Sequence, residues 1–433
     1  MWGASAHRAS SSASRPSAAT LNSRQLTAEL GKACALPQLL SLQQIHGHRF
    51  DDFNLSAFWS KFKKLPRGEL GELHGCLAPV CEQTVRMLPE LEARKLANVA
   101  HAFAKAGLVG NGPWQNVWAA LPNAVRRRLG SCNAQELSNT AWAFATAGHA
   151  PQAVFGAISA EVARRGLREF NTQGLSNTAW AFATAGHATH ALFDAISAEV
   201  ARRGLREFNA QDLSNTAWAF ATVGHASLEL LDAISAEVLR RGLGDFNEQE
   251  LSNMAWAFTV LDPPSADTLF GTACFTTRCA QILKASFLQS QLSQLHQWSI
   301  WRNERGARWP GLPDSLRQAC REAFVSEEGN PSQLQRDVVQ EIRSRGGVHD
   351  VQEEHRCEAS GYSIDALVTL NDGGRVAVEV DGPSHFLGRS HQPTGATLLK
   401  RRQLRYFEWH LESVLYWKWN SGSMELHWLP VTS

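Results

Sequence analysis

The chain has 433 residues, of which 44% are hydrophobic and 19% charged, with 42 Lys and Arg against 41 Asp and Glu. That length allows two or three domains. The composition excludes a collagen-like or wholly disordered chain, and no uninterrupted apolar run reaches the ~20 residues a membrane-spanning helix needs. The near-zero total hides an asymmetry: residues 1–132 hold 16 Lys/Arg and 8 Asp/Glu, whereas 133–246 hold 8 and 11. Eight cysteines occur without a Cys-x-x-Cys pair or a zinc spacing, which reads as free thiols in a reducing compartment.

Residues 1–28 contain no acid, carry Arg8, Arg15 and Arg24, and are rich in Ser and Ala. This is the composition of an organellar transit peptide, and it lacks the apolar core of a secretory signal. Residues 1–30 are therefore expected to be a leader or a disordered tail. The expected destination is the mitochondrial matrix, with the chloroplast stroma as the alternative.

The stretch Leu-Ser-Asn-Thr-Ala-Trp-Ala-Phe opens at Leu137 and returns at Leu175 and Leu213, then at Leu251 with Met254 in place of Thr. The step is 38 residues each time, and a fixed period of this size marks an array of repeats that bury their apolar faces against one another. In the unit from Asn171 to Phe208, Leu175, Ala179, Phe182 and Ala183 follow helical spacing, and so do Leu192, Ile196 and Val200. The unit is predicted to be a helix–turn–helix hairpin, with helices A and B. Asn133, Asn171, Asn209 and Asn247 are the expected N-caps of the A helices, with Glu136, Asp212 and Glu250 completing capping boxes that Gly174 breaks in one copy. Gly204 is expected to end helix B. Degenerate copies opening at Leu55, Leu96 and Leu292 extend the array over 50–300, clearest at 133–260, as six or seven hairpins.

The 38-residue unit resembles the octotricopeptide repeat family, whose members are organellar RNA-binding α-solenoids. The resemblance implies one nucleotide per hairpin on a single-stranded RNA. Asn139, Thr140, Asn177, Thr178, Asn215 and Thr216 are then candidate reading residues. Because the copies agree there, the central units should prefer a run of three like nucleotides. Trp142, Trp180, Trp218 and Trp256 are expected to pack between hairpins, with stacking on bases as the alternative. Arg164, Arg202 and Arg240, lacking the i, i+4 Glu that serves Arg165, Arg203 and Arg241, are the candidate phosphate contacts. His149, His187 and His225 read as polar turn residues.

Residues 301–333 are rich in Gly, Pro and Arg, and are expected to form a linker. From residue 334 the pattern changes to α-β-β-β-α-β. The expected strands are Val351–Cys357, Tyr362–Leu370, Arg375–Asp381 and Val414–Trp419, with a basic helix at Leu398–Phe407. The run Val376-Ala-Val-Glu-Val-Asp-Gly-Pro-Ser-His-Phe386, with Leu399-Lys-Arg-Arg-Gln-Leu404, closely resembles the RAP domain over 376–431. RAP domains are RNA-associated and are similar to nucleases of the restriction-endonuclease-like fold. The expected architecture is thus an α-solenoid followed by a small α/β restriction-endonuclease-like (RAP) domain over 334–433.

On the nuclease reading, Asp365, Glu379 and Asp381 would hold Mg2+ or Mn2+, with His385 and Lys400 assisting catalysis. Asp381 stands where the nuclease pattern has Lys. On the alternative reading these carboxylates are structural, and Lys400, Arg401, Arg402 and Arg405 form a phosphate patch. The function expected from these residues is RNA binding in processing, stability or translation of organelle transcripts, without a membrane. The alternatives are a repeat-guided endoribonuclease and a scaffold for other ribonucleoprotein components.

Overall fold

The computed structural model describes residues 21–66, 73–282, 286–327, 329–388, 390–420 and 428. The first 20 residues of the expected leader lie outside these. The remainder of that stretch is folded. Helix α1 (Ser23–Lys32) starts at an Asn22 capping box and buries Leu26 and Leu30, so the body of the protein begins inside the segment assigned to the leader.

Helical hairpins follow. They are α1 with α2 (Leu36–His46), α3 (Asp52–Phe62) with α4 (His74–Met87), and α5 (Ala93–Lys105) with α6 (Gln115–Arg128). The three near-identical units give α7 (Ala134–Thr146) with α8 (Gln152–Arg165), α9 (Thr172–Thr184) with α10 (His190–Arg203) and α11 (Ala210–Val223) with α12 (Leu228–Arg241), and the fourth, divergent unit gives α13 (Glu248–Leu261) with α14 (Ala266–Phe270) and α15 (Cys274–Gln281). The last hairpin is α16 (Gln289–Glu304) with α17 (Asp314–Val325). Each A helix packs on the next, from α1 through α3, α5, α7, α9, α11 and α13 to α16, more extensively than successive B helices do. The A helices therefore line the tighter side of the stack.

Local signals agree with this order. Asn133, Asn209 and Asn247 form complete capping boxes, while Asn171 caps the Gly174 amide alone. Each such cap is worth about 1 kcal/mol. Gly166, Gly204 and Gly242 close the B helices at φ 74°, 74° and 77°, a positive-φ conformation that glycine adopts without a Cβ penalty. Phe170, Phe208 and Phe246 before the caps are all buried.

The stretch expected to be a linker is instead structured. It holds the end of α16 and all of α17, because Leu316, Ala319, Cys320 and Phe324 give α17 an apolar face that is buried. After it come α18 (Gln333–Ser344), β1 (Val348–Arg356), β2 (Ser363–Leu370), β3 (Arg375–Asp381), α19 (Gly395–Tyr406), β4 (Leu411–Leu415) and α20 (Tyr416–Asn420). The final strand thus ends at Leu415, and the residues beyond it coil into α20 rather than extending to Trp419.

The sheet order is β1-β2-β3-β4, antiparallel except for β3 with β4. That parallel pair requires a crossover, which α19 supplies. Alternation along β3 splits its side chains between two cores. Val376, Val378 and Val380 pack with Val338, Val339 and Ile342 of α18. Ala377 joins Leu404 of α19, Ile364 and Tyr362, together with Ile300 of α16 and Phe324 of α17. This second core is shared with the helical array, so the α/β domain is fused to the last hairpin by burial of apolar surface.

Candidate nucleic-acid interface

The A helices α7, α9 and α11 each leave one strip accessible, at intervals of four, three and four residues, as one face of a helix requires. On α7 it is Gln135, Asn139, Trp142 and Thr146; on α9, Gln173, Asn177, Trp180 and Thr184; on α11, Gln211, Asn215, Trp218 and Thr222. The tryptophans form a ladder across the helices. Ring centroids lie 6.4 Å apart for Trp142–Trp180, 6.5 Å for Trp180–Trp218 and 6.1 Å for Trp218–Trp256, with interplanar angles of 32–34°. Trp142, Trp180 and Trp218 are half-buried, so each ring both packs against its neighbour and presents surface. His101 extends the ladder, 5.0 Å from Trp142.

Of the expected reading residues, Asn139, Asn177 and Asn215 sit on this strip, but the threonines do not. Thr140, Thr178 and Thr216 are about 1% exposed or less, and each hydroxyl donates to the carbonyl four residues earlier at 2.7 Å. They face the core because they stand one position beyond the asparagines, about 100° round the helix. Met254, at the same position, is buried too. The glutamines were missed by the sequence reading. Their signal was present, since Gln135, Gln173 and Gln211 recur at the same 38-residue step, four residues before the asparagines.

The arginine ladder is also differently employed. Glu161 accepts from both Arg164 and Arg165, Glu199 from Arg202 and Arg203, and Glu237 from Arg240 and Arg241. Arg164, Arg202 and Arg240 therefore have carboxylate partners, at the i, i+3 spacing. Hydrogen bonds from the first Arg of each pair, joined by those from the second, hold the three carboxyls down at about 2. The second Arg of each pair reaches further. Arg203 donates to the carbonyls of Phe170 (2.6 Å) and Leu167 (3.3 Å), and Arg241 to those of Phe208 (2.6 Å) and Leu205 (3.2 Å). These arginines tie the end of helix B to the turn preceding their own unit.

The turn histidines pack between hairpins: His187 bonds the Ala150 carbonyl at 2.8 Å, and His149 stacks on Trp118.

In the α/β domain, the end of β3 and the start of α19 bound a cleft of about 260 Å3 lined by Glu379, Asp381, His385, Thr397, Lys400 and Arg401, among others. Glu379 is 2% exposed, and one of its oxygens lies 2.5 Å from Lys400 Nζ. Its other oxygen, Oε1, is buried without a hydrogen-bond partner. Burial pushes Glu379 up to about 7 despite the pull of Lys400. Burial alone would lower Lys400, but Glu379 and Asp365 hold it above the ordinary lysine value. Asp381 accepts from His385 Nδ1 at 2.9 Å and from Arg401. Burial acts to raise Asp381, but the His385 hydrogen bond and the Arg401 charge outweigh it, and the net direction is down. Asp365 accepts the Val380 amide at 2.7 Å, and burial raises it.

This donor set does not fit a divalent metal. Glu379 is engaged by Lys400, Asp381 by Arg401 and His385, and Asp365 by a backbone amide. Among the described residues no three His, Cys, Asp or Glu side chains are grouped as metal ligands. Nor do the basic residues of α19 form a free phosphate patch. Lys400 and Arg401 serve the buried carboxylates, and Arg402 donates to Glu304 and to the carbonyls of Val260 and Thr259. Arg405 is exposed.

The α/β domain closes one end of the strip. Gln297 of α16 stands in the position of the ladder residues and donates to Tyr362, whose hydroxyl donates to Gln403. Asn253, Trp256 and Val260 of α13 are buried, unlike their equivalents in the three preceding units. At Gly395 a Cβ would lie 1.8 Å from the Ala221 carbonyl oxygen, so only glycine permits this approach of α19 to α11. The accessible tryptophan rungs thus end at α11.

Comparison with known proteins agrees with a two-part chain. Residues 378–425 match the RAP domain family, so the chain carries a RAP domain over β3 from Val378 onward, α19, β4 and α20. Residues 84–277, which are helical, match the family described as Tbc2 translation factor, N-terminal domain. A protein of Oryza sativa subsp. japonica described as "RAP domain-containing protein, chloroplastic" is 32% identical over 90 residues, 21% of this chain. The matched part spans only 13% of that protein's length.

Proposed function

We propose that this protein is an organellar RNA-binding protein that acts in processing, stability or translation of organelle transcripts. The hairpin array is an α-solenoid of octotricopeptide type, and single-stranded RNA lies along the A-helix strip. The observation that carries this reading is the half-buried Trp142–Trp180–Trp218 ladder, flanked by rows of Asn and Gln. Aromatic faces stack on any base, contributing about 1–3 kcal/mol per base, and amides hydrogen-bond to base edges. The rungs are 6.1–6.5 Å apart, nearly twice the ~3.4 Å rise per nucleotide of a stacked duplex strand. A strand matched one nucleotide per rung is therefore stretched and unstacked, which exposes base edges for readout. The RAP match and the Tbc2-type match support the RNA reading, and the chloroplastic relative supports an organelle. Residues 1–20 remain the candidate import segment, with chloroplast and mitochondrion both open.

The test is binding of the full chain to fluorescent single-stranded RNA homopolymers and to duplex RNA of equal length. Preference for a single strand, weakened at least about tenfold by Trp180→Ala, is the expected result. Equal binding of duplex and single strand, or an unaffected Trp180→Ala, removes the ladder from the account.

A further inference from the structure

The strip changes character along the array. At the outermost position of its first row, Gln249, Gln211, Gln173 and Gln135 are followed toward the N-terminus by Arg94. In the ladder row Trp218, Trp180 and Trp142 are followed by His101. In the last row Thr222, Thr184 and Thr146 are followed by Lys105 on α5 and Lys64 just after α3. The same helical face that is neutral over α7, α9 and α11 is therefore basic at α5 and α3. Lys63 joins the group, with its Nζ 3.0 Å from His101 Nδ1.

Among the described residues these cations lack a carboxylate partner. Lys95, on α5, is paired with Asp52, and the arginine pairs at the B-helix ends are paired with Glu161, Glu199 and Glu237. Among the described residues, Lys63, Lys64, Arg94 and Lys105 form no ion pair within 4.0 Å. Lys64, Arg94 and Lys105 are exposed. Burial, then the charges of Lys64 and Lys105, lower Lys63. Burial, then Lys63 and Lys105, lower His101 to about 4, so its ring is neutral at pH 7 and its Nδ1 accepts from the ammonium. Lys63, Lys64 and Lys105 repel one another, and an anion placed among them relieves that repulsion.

We propose that Lys63, Lys64 and Lys105 form a backbone-phosphate anchor that holds one end of the bound RNA segment. Resting on the RNA reading above, this gives the groove a polarity. Phosphates are gripped at α3 and α5, bases are then contacted without charge at the Trp142, Trp180 and Trp218 rungs, and the strand meets the RAP domain at α13. Affinity and selection are divided between the two ends of the strip, since phosphate contacts position a strand and base contacts specify it.

The salt dependence of binding by the full chain separates these roles. The probes are a single-stranded RNA oligonucleotide and titrated KCl. For single strands the slope of log K against log salt changes by about 0.7 per phosphate neutralised. The variant Lys64→Gln/Lys105→Gln, which alters only exposed side chains, should make the slope shallower by about 1.4, and adding Lys63→Gln should bring the change to about 2. Trp180→Ala should weaken binding at every salt concentration while leaving the slope as it is. If the wild-type chain binds RNA and the double variant retains the wild-type slope, the anchor is overturned and the RNA reading stands. If the wild-type chain binds no single-stranded RNA even at low salt, the RNA reading falls and the anchor falls with it.

Discussion

Gly395 and Ala221 approach so closely that no side chain fits between them: a Cβ on the first would sit 1.8 Å from the carbonyl oxygen of the second. The first turn of α19 is thereby seated on the C-terminal end of α11, and the RAP domain is held against the array by backbone contact as well as by the apolar core around Ile300, Phe324 and Tyr362. Gly395→Ala should force the two apart at a cost of about 1–3 kcal/mol, the usual penalty for overpacking. The expected readouts are a lower thermal midpoint and faster protease cleavage between residues 305 and 333. Unchanged values for both would mean that the domain is seated differently.

The paired arginines at the B-helix ends predict unequal losses. Arg203→Met removes donors to the Phe170 and Leu167 carbonyls and one partner of the buried Glu199. Charge-assisted hydrogen bonds of this kind are worth about 1.5–3 kcal/mol. Arg202→Met removes a side chain that is 51% exposed and paired only locally, and should cost less than about 1 kcal/mol. Urea midpoints of the two variants decide this, and equal shifts contradict the clamp.

Position 178 is a packing site rather than a reading site. Thr178→Val should leave RNA affinity and base preference unchanged, whereas Asn177→Ala, on the accessible strip, should alter preference at one nucleotide by about 1–3 kcal/mol. Selection from a random RNA pool compares them directly. A changed preference in the valine variant, with an unchanged fold, would return the threonine to the interface.

Glu379 gives stability a pH dependence of defined sign. Its folded value of about 7 lies above the ordinary 4.5, so between those limits the folded chain retains a proton that the unfolded chain has released. The group's contribution is fully present below about 4.5 and is lost as pH rises through about 7. Asp365, also raised by burial, acts in the same direction. Asp381 is lowered below its ordinary 3.8, so its contribution changes only at more acid pH. The thermal midpoint of the wild type minus that of Glu379→Gln should therefore shrink from pH 5 to pH 8. A difference that stays constant or grows speaks against a proton retained at this carboxylate.

The repeated hairpins were legible because their causes are local. An Asn cap, an apolar stripe of period 3.6 and a terminal Gly are each contained within one 38-residue unit, and three near-identical copies repeat the message. The strands from Arg375 to Asp381 and from Ser363 to Leu370 were legible for the same reason, as alternating or wholly apolar runs. What the sequence does not show depends on how side chains are placed, whether the partner is near in the chain or distant. Arg202 lacks an i−4 carboxylate, but at i−3 the same Glu199 serves two arginines once both rotamers are fixed. Thr178 looks like a polar reading residue until the neighbouring A helix covers its side of α9.

At the candidate site, Asp365, Glu379, Asp381, Lys400 and His385 were identifiable as a group from their residue types and strand placement. Their pairing was not. Parallel β3 and β4 need α19 as a crossover, and that helix carries Lys400 to Glu379 and Arg401 to Asp381 across about 20 residues of intervening chain. The stretch expected to be a linker illustrates the same division. Local composition marked 301–333 as irregular, yet α17 is held in place by apolar contacts of Leu316 and Cys320 with the helical array and of Phe324 with the core shared with the sheet. Sequence alone determined the period, the helices and their caps, because backbone propensity and amphipathicity act over a few residues. Tertiary structure decided which polar groups remain available, because a charge or hydroxyl is free or spent according to what packs against it.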